Sequence, residues 1–325
     1  MHEQGAIRAL ERDLSLASWT ARRTYRAEDY TAEALLERKG GTVSVIVPAR
    51  SVAGTIGAVV EALVPLERLG LIDELVVVDA ASGDGTAERA EIAGATVLQE
   101  SDLMPDHGPA RGKGDAMWRG LAATEGEIVA FLDADTLDFQ AGFVLGLLGP
   151  LLDDETLALV KGSFRRPLRV GDELRPDEGG RVTELMARPL INLHVPELAG
   201  FHQPLAGEVA ARRDVLERLS FPVGYGVEIA MMIDVARAVG LEAMAQVDLG
   251  TRQNRHQPLR ELGAMSYAVM VAAMRRLQPE ALEGLEMGPL AQPCGDSLET
   301  RDVPIEERPS LASLRAPSVG LERRH

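Results

Sequence analysis

The sequence predicts an α/β protein built on a mainly parallel, twisted sheet with helices on both faces. Short β-branched runs alternate with segments of helical period, and the runs are apolar on both faces, as strands covered from two sides must be. Length agrees, since 325 residues with 46% hydrophobic and 26% charged positions suffice for one large core or two modest ones.

Residues 1–40 alternate charge with apolar positions (Ile7, Leu10, Leu14, Leu16, Trp19) and are expected to form one or two amphipathic helices. Thr42 to Val47 is the first expected strand, stopped by Pro48, with a helix from Ile56 to Leu69. Glu74 to Asp79 is the second strand, and the turn from Ser82 to Thr86 caps the next helix. Thr96 to Leu98 and Glu127 to Leu132 complete a nucleotide-binding α/β half. The chain continues with a strand at Leu157 to Val160, a helix near 182–193, a strand and helix across 203–219, a helix from Val227 to Val239, a strand from Leu241 to Leu249 and a helix from Leu259 to Leu277. Beyond Pro279 no period is sustained, and that tail is expected to be flexible or packed late.

Composition narrows the partners. A net charge of −16 and 4% aromatic residues oppose nucleic-acid binding. A single cysteine, Cys294, and the lack of a basic-then-apolar N-terminus point to the cytoplasm. No run approaches the ~20 apolar residues of a membrane span, so no membrane segment is expected.

The sharpest chemical signal is Asp133-Ala134-Asp135 at the end of a buried strand. Ligands of open α/β sheets bind beyond the strands' carboxyl ends, and two carboxylates there suit Mg²⁺ or Mn²⁺, which would bridge a diphosphate and steady its departure. The plainer reading makes Asp135 a cap and Asp133 a solvated turn acid. Asp79 also ends a strand, and either accepts from a base or ribose or caps its own turn. Arg111-Gly112-Lys113-Gly114-Asp115 opens a helix and would seat an anion, although it is not a Walker A loop, because Gly114 follows the lysine. The second half is rich in cations (Lys161, Arg165, Arg166, Arg169, Arg181, Arg188, Arg252, Arg255) that would either hold an anionic acceptor or pair with surface glutamates. Gly179-Gly180-Arg181-Val182-Thr183 is the best anion seat among them. His256 is a metal ligand or a loop histidine, and Glu228 accepts from sugar hydroxyls or is only a favourable charge at a helix start.

Seven ordered blocks between about residues 42 and 278 carry a resemblance: Gly112 to Gly114, Asp133 to Asp135, Arg165 to Leu168, Gly180 to Leu185, Gln203 to Glu208, Gly224 to Glu228, and Glu261 to Ser266. Together they resemble the glucosyl- and mannosyl-3-phosphoglycerate synthases, glycosyltransferase family 81. The resemblance implies a GT-A glycosyltransferase fold, a homodimer, and α-retaining transfer of a hexose from a nucleotide sugar to the 2-hydroxyl of 3-phosphoglycerate. It places the donor against Pro48, Ala49, Ser51, Asp79, Lys113, Asp133, Ala134, Leu205 and Glu228, with Asp133, Asp135 and Glu228 carrying the chemistry. Gly180, Arg181, Val182, Thr183, Arg252 and Asn254 would hold the acceptor, and Asp135 and His256 the metal. The expected division is a helical extension at 1–40, a nucleotide-sugar half at 41–165, an acceptor half at 166–278 and a tail at 279–325.

The chain departs from the family pattern twice. Relatives read Pro-Ala-x-Asn-Glu-Glu where this chain has Pro48-Ala49-Arg50-Ser51-Val52-Ala53, which relaxes the expectation of uridine and leaves UDP-glucose, GDP-glucose and GDP-mannose as donors. The family's metal-binding histidine aligns with Asn254 and its nearby asparagine with His256; imidazole is the better ligand, which favours His256. A sugar-phosphate nucleotidyltransferase would need a glycine-rich loop after the first strand, and a nucleotide-sugar sensor would not need the cationic second half.

Overall fold

The computed structural model describes residues 2–170, 173–175, 179–252 and 258–315. The chain opens with α1 (His2–Arg23), β1 (Thr24–Arg26) and α2 (Ala32–Arg38). Three β-α units follow: β2 (Val43–Ala49) with α3 (Ile56–Leu69), β3 (Glu74–Asp79) with α4 (Thr86–Ala93), and β4 (Thr96–Gln99) with α5 (Lys113–Ala123). Next come β5 (Ile128–Phe131), α6 (Ala141–Asp153), β6 (Leu159–Arg165) and a small hairpin of β7 (Leu168–Val170) and β8 (Glu173–Arg175). Then α7 (Arg188–His194), β9 (Val209–Arg212), α8 (Arg213–Leu216), β10 (Phe221–Pro222), α9 (Val227–Val239), β11 (Met244–Thr251) and α10 (Leu259–Leu277) lead to a C-terminal hairpin, β12 (Leu290–Cys294) and β13 (Ser297–Arg301). A two-residue strand, β14 (Glu307–Arg308), and α11 (Leu311–Arg315) end the described chain.

Eight strands form one sheet in the order β1-β11-β6-β9-β5-β2-β3-β4. All pairings are parallel except those of β9, which runs antiparallel to both β5 and β6. Side-chain alternation divides β2 between two cores: Val43, Val45 and Val47 pack towards α3 and α6, while Ile46 packs with Trp118 and Phe131 on the other face. The strand also runs on through Pro48, where the sequence suggested a stop. Pairing with β5 has ended by Ile46↔Phe131, so beyond it a proline lies past the neighbouring strand on that side.

At both ends of the chain the structure adds to the sequence reading. Residues 1–40 are more than a helical extension: Thr24–Arg26 adds a parallel edge strand to the sheet through Thr24↔Gln246, and Trp19 is buried against Phe201 at 4.8 Å between ring centroids. A strand of three residues is too short to leave a periodic signal, and pairing supplies what propensity does not. Of the two alternatives for the tail, packing holds over its described residues, which end at Arg315. β14 pairs with β10, Trp118 Nε1 donates to the Pro309 carbonyl at 2.9 Å, and Leu311 is buried. Its anchors are single residues set among prolines and charges, a pattern without period. Among the described residues no helix is long and apolar enough to cross a membrane.

Candidate active site

A cleft of about 460 Å³ opens at the carboxyl ends of β2, β3 and β5. At its centre the first turn of α5 and the start of α9 bring a cation and an anion to the acidic end of β5. Lys113 Nζ donates to Asp133 Oδ1 at 2.5 Å and to Glu228 Oε1 at 2.7 Å. Arg252, fully buried at the end of β11, donates through Nη2 to Asp133 Oδ2 at 3.0 Å and to Asp135 Oδ1 at 3.2 Å, while Nη1 pairs with Glu208. The result is a chain of alternating charge: Glu228, Lys113, Asp133, Arg252, Glu208.

Lys113 and Asp133 hold each other ionised. Burial opposes the charge on Lys113, yet Asp133 and Glu228 outweigh it and keep the ammonium above the ordinary lysine range. Burial likewise opposes ionisation of Asp133, and Lys113 and Arg252 overcome it, holding that carboxyl well below the usual range. Glu208 goes the other way: complete burial raises its pKa despite Arg252, and like-charged Asp133 adds to the rise. Gly207 is needed here, because a Cβ would run into both Asp133 and Lys113.

The carboxylates suit a divalent cation. Asp133 Oδ2 and Asp135 Oδ1 converge on one guanidinium nitrogen, so a positive charge already sits between two hard oxygen donors, and Asp135 remains half exposed. Of the two carboxylates, Asp135 is the more accessible to an incoming ion. Asn254 and His256 lie outside the described residues, and among those described no three His, Cys, Asp or Glu side chains cluster.

Of the expected donor residues, Pro48, Ala49, Lys113, Asp133, Ala134, Leu205 and Glu228 line the cleft. Ser51 and Asp79 do not. The Ser51 N–H instead donates to Ser82 Oγ at 2.8 Å, and buried Asp79 accepts from the Ser82 N–H through Oδ2 at 3.0 Å, leaving Oδ1 without a partner. Turn capping thus occupies one Asp79 oxygen and leaves the other over.

At the opposite end Gly180, Arg181, Val182 and Thr183 line the cleft with Arg166 and Pro167. Gly180 takes φ +72°, and a Cβ on Gly179 would strike Arg166. A wide, π-type turn over Thr183–Ala187 leads into α7, the kind of local irregularity that aims groups at sites. Arg252 lines the cleft as well, its guanidinium paired with the carboxylates and lying over the Phe164 ring, as that of Arg166 does. Of the other cations, Lys161 is buried with Nζ on the Ala206 carbonyl at 2.7 Å, and Arg188 pairs with Glu184 at 2.8 Å. Burial brings the Lys161 pKa down to about 8, with Glu228 acting in opposition.

Several site residues went unforeseen. Glu208 stood in a quoted block without a role, though an acid after Gly207 in an apolar run was a usable signal. Glu100, Tyr225, α10 residues Leu262 and Met265, and Val303 and Pro304 of the tail also line the cleft. Tyr225, Leu262 and Met265, like Glu208, stood in quoted blocks without a role, while Val303 and Pro304 come from the patternless tail.

Known proteins share this architecture. The family described as Glycosyl transferase family 2 matches residues 44–205. A glucosyl-3-phosphoglycerate synthase of Mycolicibacterium paratuberculosis is 42% identical over 92% of both chains. The crystal structure of mannosyl-3-phosphoglycerate synthase from Rubrobacter xylanophilus superposes with a TM-score of 0.82 at 45% identity, covering 92% of this chain and 99% of that one. Glucosyl-3-phosphoglycerate synthase from Mycobacterium tuberculosis, in complex with Mn²⁺, UDP-glucose and phosphoglyceric acid, superposes with a TM-score of 0.79 at 42% identity over 88% of this chain and 96% of that one. Identity of this extent, on a GT-A sheet, makes the chain a member of the glucosyl- and mannosyl-3-phosphoglycerate synthase family of metal-dependent glycosyltransferases.

Proposed function

We propose that the protein moves a hexose, glucose or mannose, from a nucleoside-diphosphate sugar to the 2-hydroxyl of 3-phosphoglycerate with retention of the α configuration. The observation that carries this reading is the Asp133–Lys113–Glu228 triad standing mid-cleft, between the Pro48–Ala49 strand end and the Gly180–Thr183 helix start. The relative crystallised with UDP-glucose and phosphoglyceric acid supports it.

In this reading Lys113 steadies Asp133 and sets the Glu228 carboxylate to accept from hexose hydroxyls. Arg181 and the first N–H groups of its helix hold the acceptor's anionic groups. A bond forms between the acceptor 2-oxygen and the anomeric carbon as the bond from that carbon to the diphosphate oxygen breaks, and the hydroxyl proton passes to the departing oxygen on the same face. A divalent cation at Asp135, when bound, supplies charge to the leaving diphosphate. Leu185 and Leu193, each 76% exposed along the 181–194 helix, offer an apolar strip suited to a second copy, which supports a homodimer.

The test is release of nucleoside diphosphate with Mg²⁺ or Mn²⁺, with and without 3-phosphoglycerate. Release that requires the acceptor is expected; acceptor-independent hydrolysis alone overturns the reading.

A further inference from the structure

Glu100 begins the turn after β4, at the rim where Pro48, Ala49, Val52 and Ala80 line the nucleoside end of the cleft, and it lines the cleft with them. The residue is 1% exposed, and its Oε1 has no hydrogen-bond partner. A buried carboxylate oxygen left unpaired is costly, so a donor carried by a bound ligand would be favoured there. The neighbouring cations do not supply it. Arg119 donates through Nε to Asp115 at 3.0 Å, through Nη1 to the carbonyls of Glu100, Leu103 and Met104, and through Nη2 to that of Gly108. Arg308 is taken up by Asp115 and the carbonyls of His107 and Pro109. Arg50 stands exposed on the loop after β2.

We propose that Glu100 reads the donor's base and selects guanine, its two carboxylate oxygens accepting from N1–H and the 2-amino group. This rests on the cleft being a nucleotide-sugar site. Guanine alone among the common bases presents two adjacent donors on its Watson–Crick edge. Uracil offers one N–H flanked by two carbonyls, one of which would be set against a carboxylate oxygen; adenine and cytosine each place a ring acceptor beside their amino group. A buried group built to accept two hydrogen bonds therefore rejects the other bases by leaving itself unpaired. Burial and like-charged Asp115 raise the Glu100 pKa to about 7, against Arg119, Arg50 and Arg308, so the ionised form that guanine needs is within reach at neutral pH.

The experiment is calorimetric titration of GDP, IDP and UDP, each with Mn²⁺, into the wild type, Glu100→Gln and Glu100→Ala. IDP keeps N1–H and lacks only the 2-amino group. GDP is expected to bind the wild type at least ~10-fold more tightly than IDP or UDP. Both variants should lose that advantage while UDP affinity stays within about threefold, which also reports an intact cleft. UDP matching or exceeding GDP in the wild type, or a GDP preference untouched in both variants, overturns the assignment. Because nucleotide binding needs no acceptor, a retained guanine preference without transfer to 3-phosphoglycerate would sink the proposed reaction and leave Glu100 standing; binding of no nucleotide would sink both.

Discussion

The centre of the cleft and its nucleoside end treat buried charge in opposite ways. At the centre Lys113, Asp133, Arg252, Glu208 and Glu228 are each paired with an opposite charge within the protein, although Glu208 Oε2 and Arg252 Nε have no hydrogen-bond partner among the described residues. At the nucleoside end Glu100 makes no ion pair among the described residues and keeps a buried carboxylate oxygen with no partner. Pre-paired groups need little reorganisation when charge develops during transfer, which is what stabilising a transition state requires. An unpaired acceptor is instead a recognition element, since its desolvation is offset only when the right donor arrives. Chemistry is thus built into the centre, and selectivity is left open at the edge.

The comparison is broken most sharply at the centre. Asp135→Ala should cut metal-dependent turnover by about 10³-fold or more with the fold intact, measured by acceptor-dependent diphosphate release; undiminished activity would remove Asp135 from the metal site. Next in size, Arg308→Ala strips one cation from buried Asp115 and unties the tail from α5. A stability loss of about 3 kcal/mol is expected by chemical denaturation, and no change in midpoint would mean the tail is not a brace.

At the nucleoside end the effect is one of pH. The Glu100 pKa is raised to about 7 in the fold, so the native state holds a proton that the unfolded chain has released above its ordinary carboxyl range. Its contribution is fully present in acid and is lost as pH rises towards 7. Glu100→Gln, always neutral, should match the wild type near pH 5 and exceed it near pH 8 by up to about 3 kcal/mol. Equal melting curves at both values would show that the carboxylate is not held out of water. Smallest is Arg181→Ala, which should raise the KM for 3-phosphoglycerate by roughly 10-fold or more and leave the donor KM nearly unchanged; equal changes in both would take Arg181 out of the acceptor end.

Much of this was legible in the sequence, for identifiable reasons. Strands such as Glu74–Asp79 and helices such as Val227–Val239 declare themselves because burial on both faces or on one stripe imposes a composition. The acidic strand end and the Gly112-Lys113-Gly114 helix start were readable because strand ends and helix starts position ligands in any open sheet. What escaped depended on distance. Nothing local tells that Arg252 reaches back 119 positions to Asp133, that Glu208 lies beneath both, or that Trp118 waits for the carbonyl of Pro309. Glu100 read as one more acid in an acidic chain; only its burial beside arginines already committed elsewhere sets it apart.

The most direct test of the central claim is to identify the product formed from a nucleoside-diphosphate hexose, 3-phosphoglycerate and Mg²⁺ by NMR. A hexose joined through its anomeric carbon in the α configuration to the 2-oxygen of 3-phosphoglycerate is the expected result. Free hexose alone, or a β linkage, would contradict it.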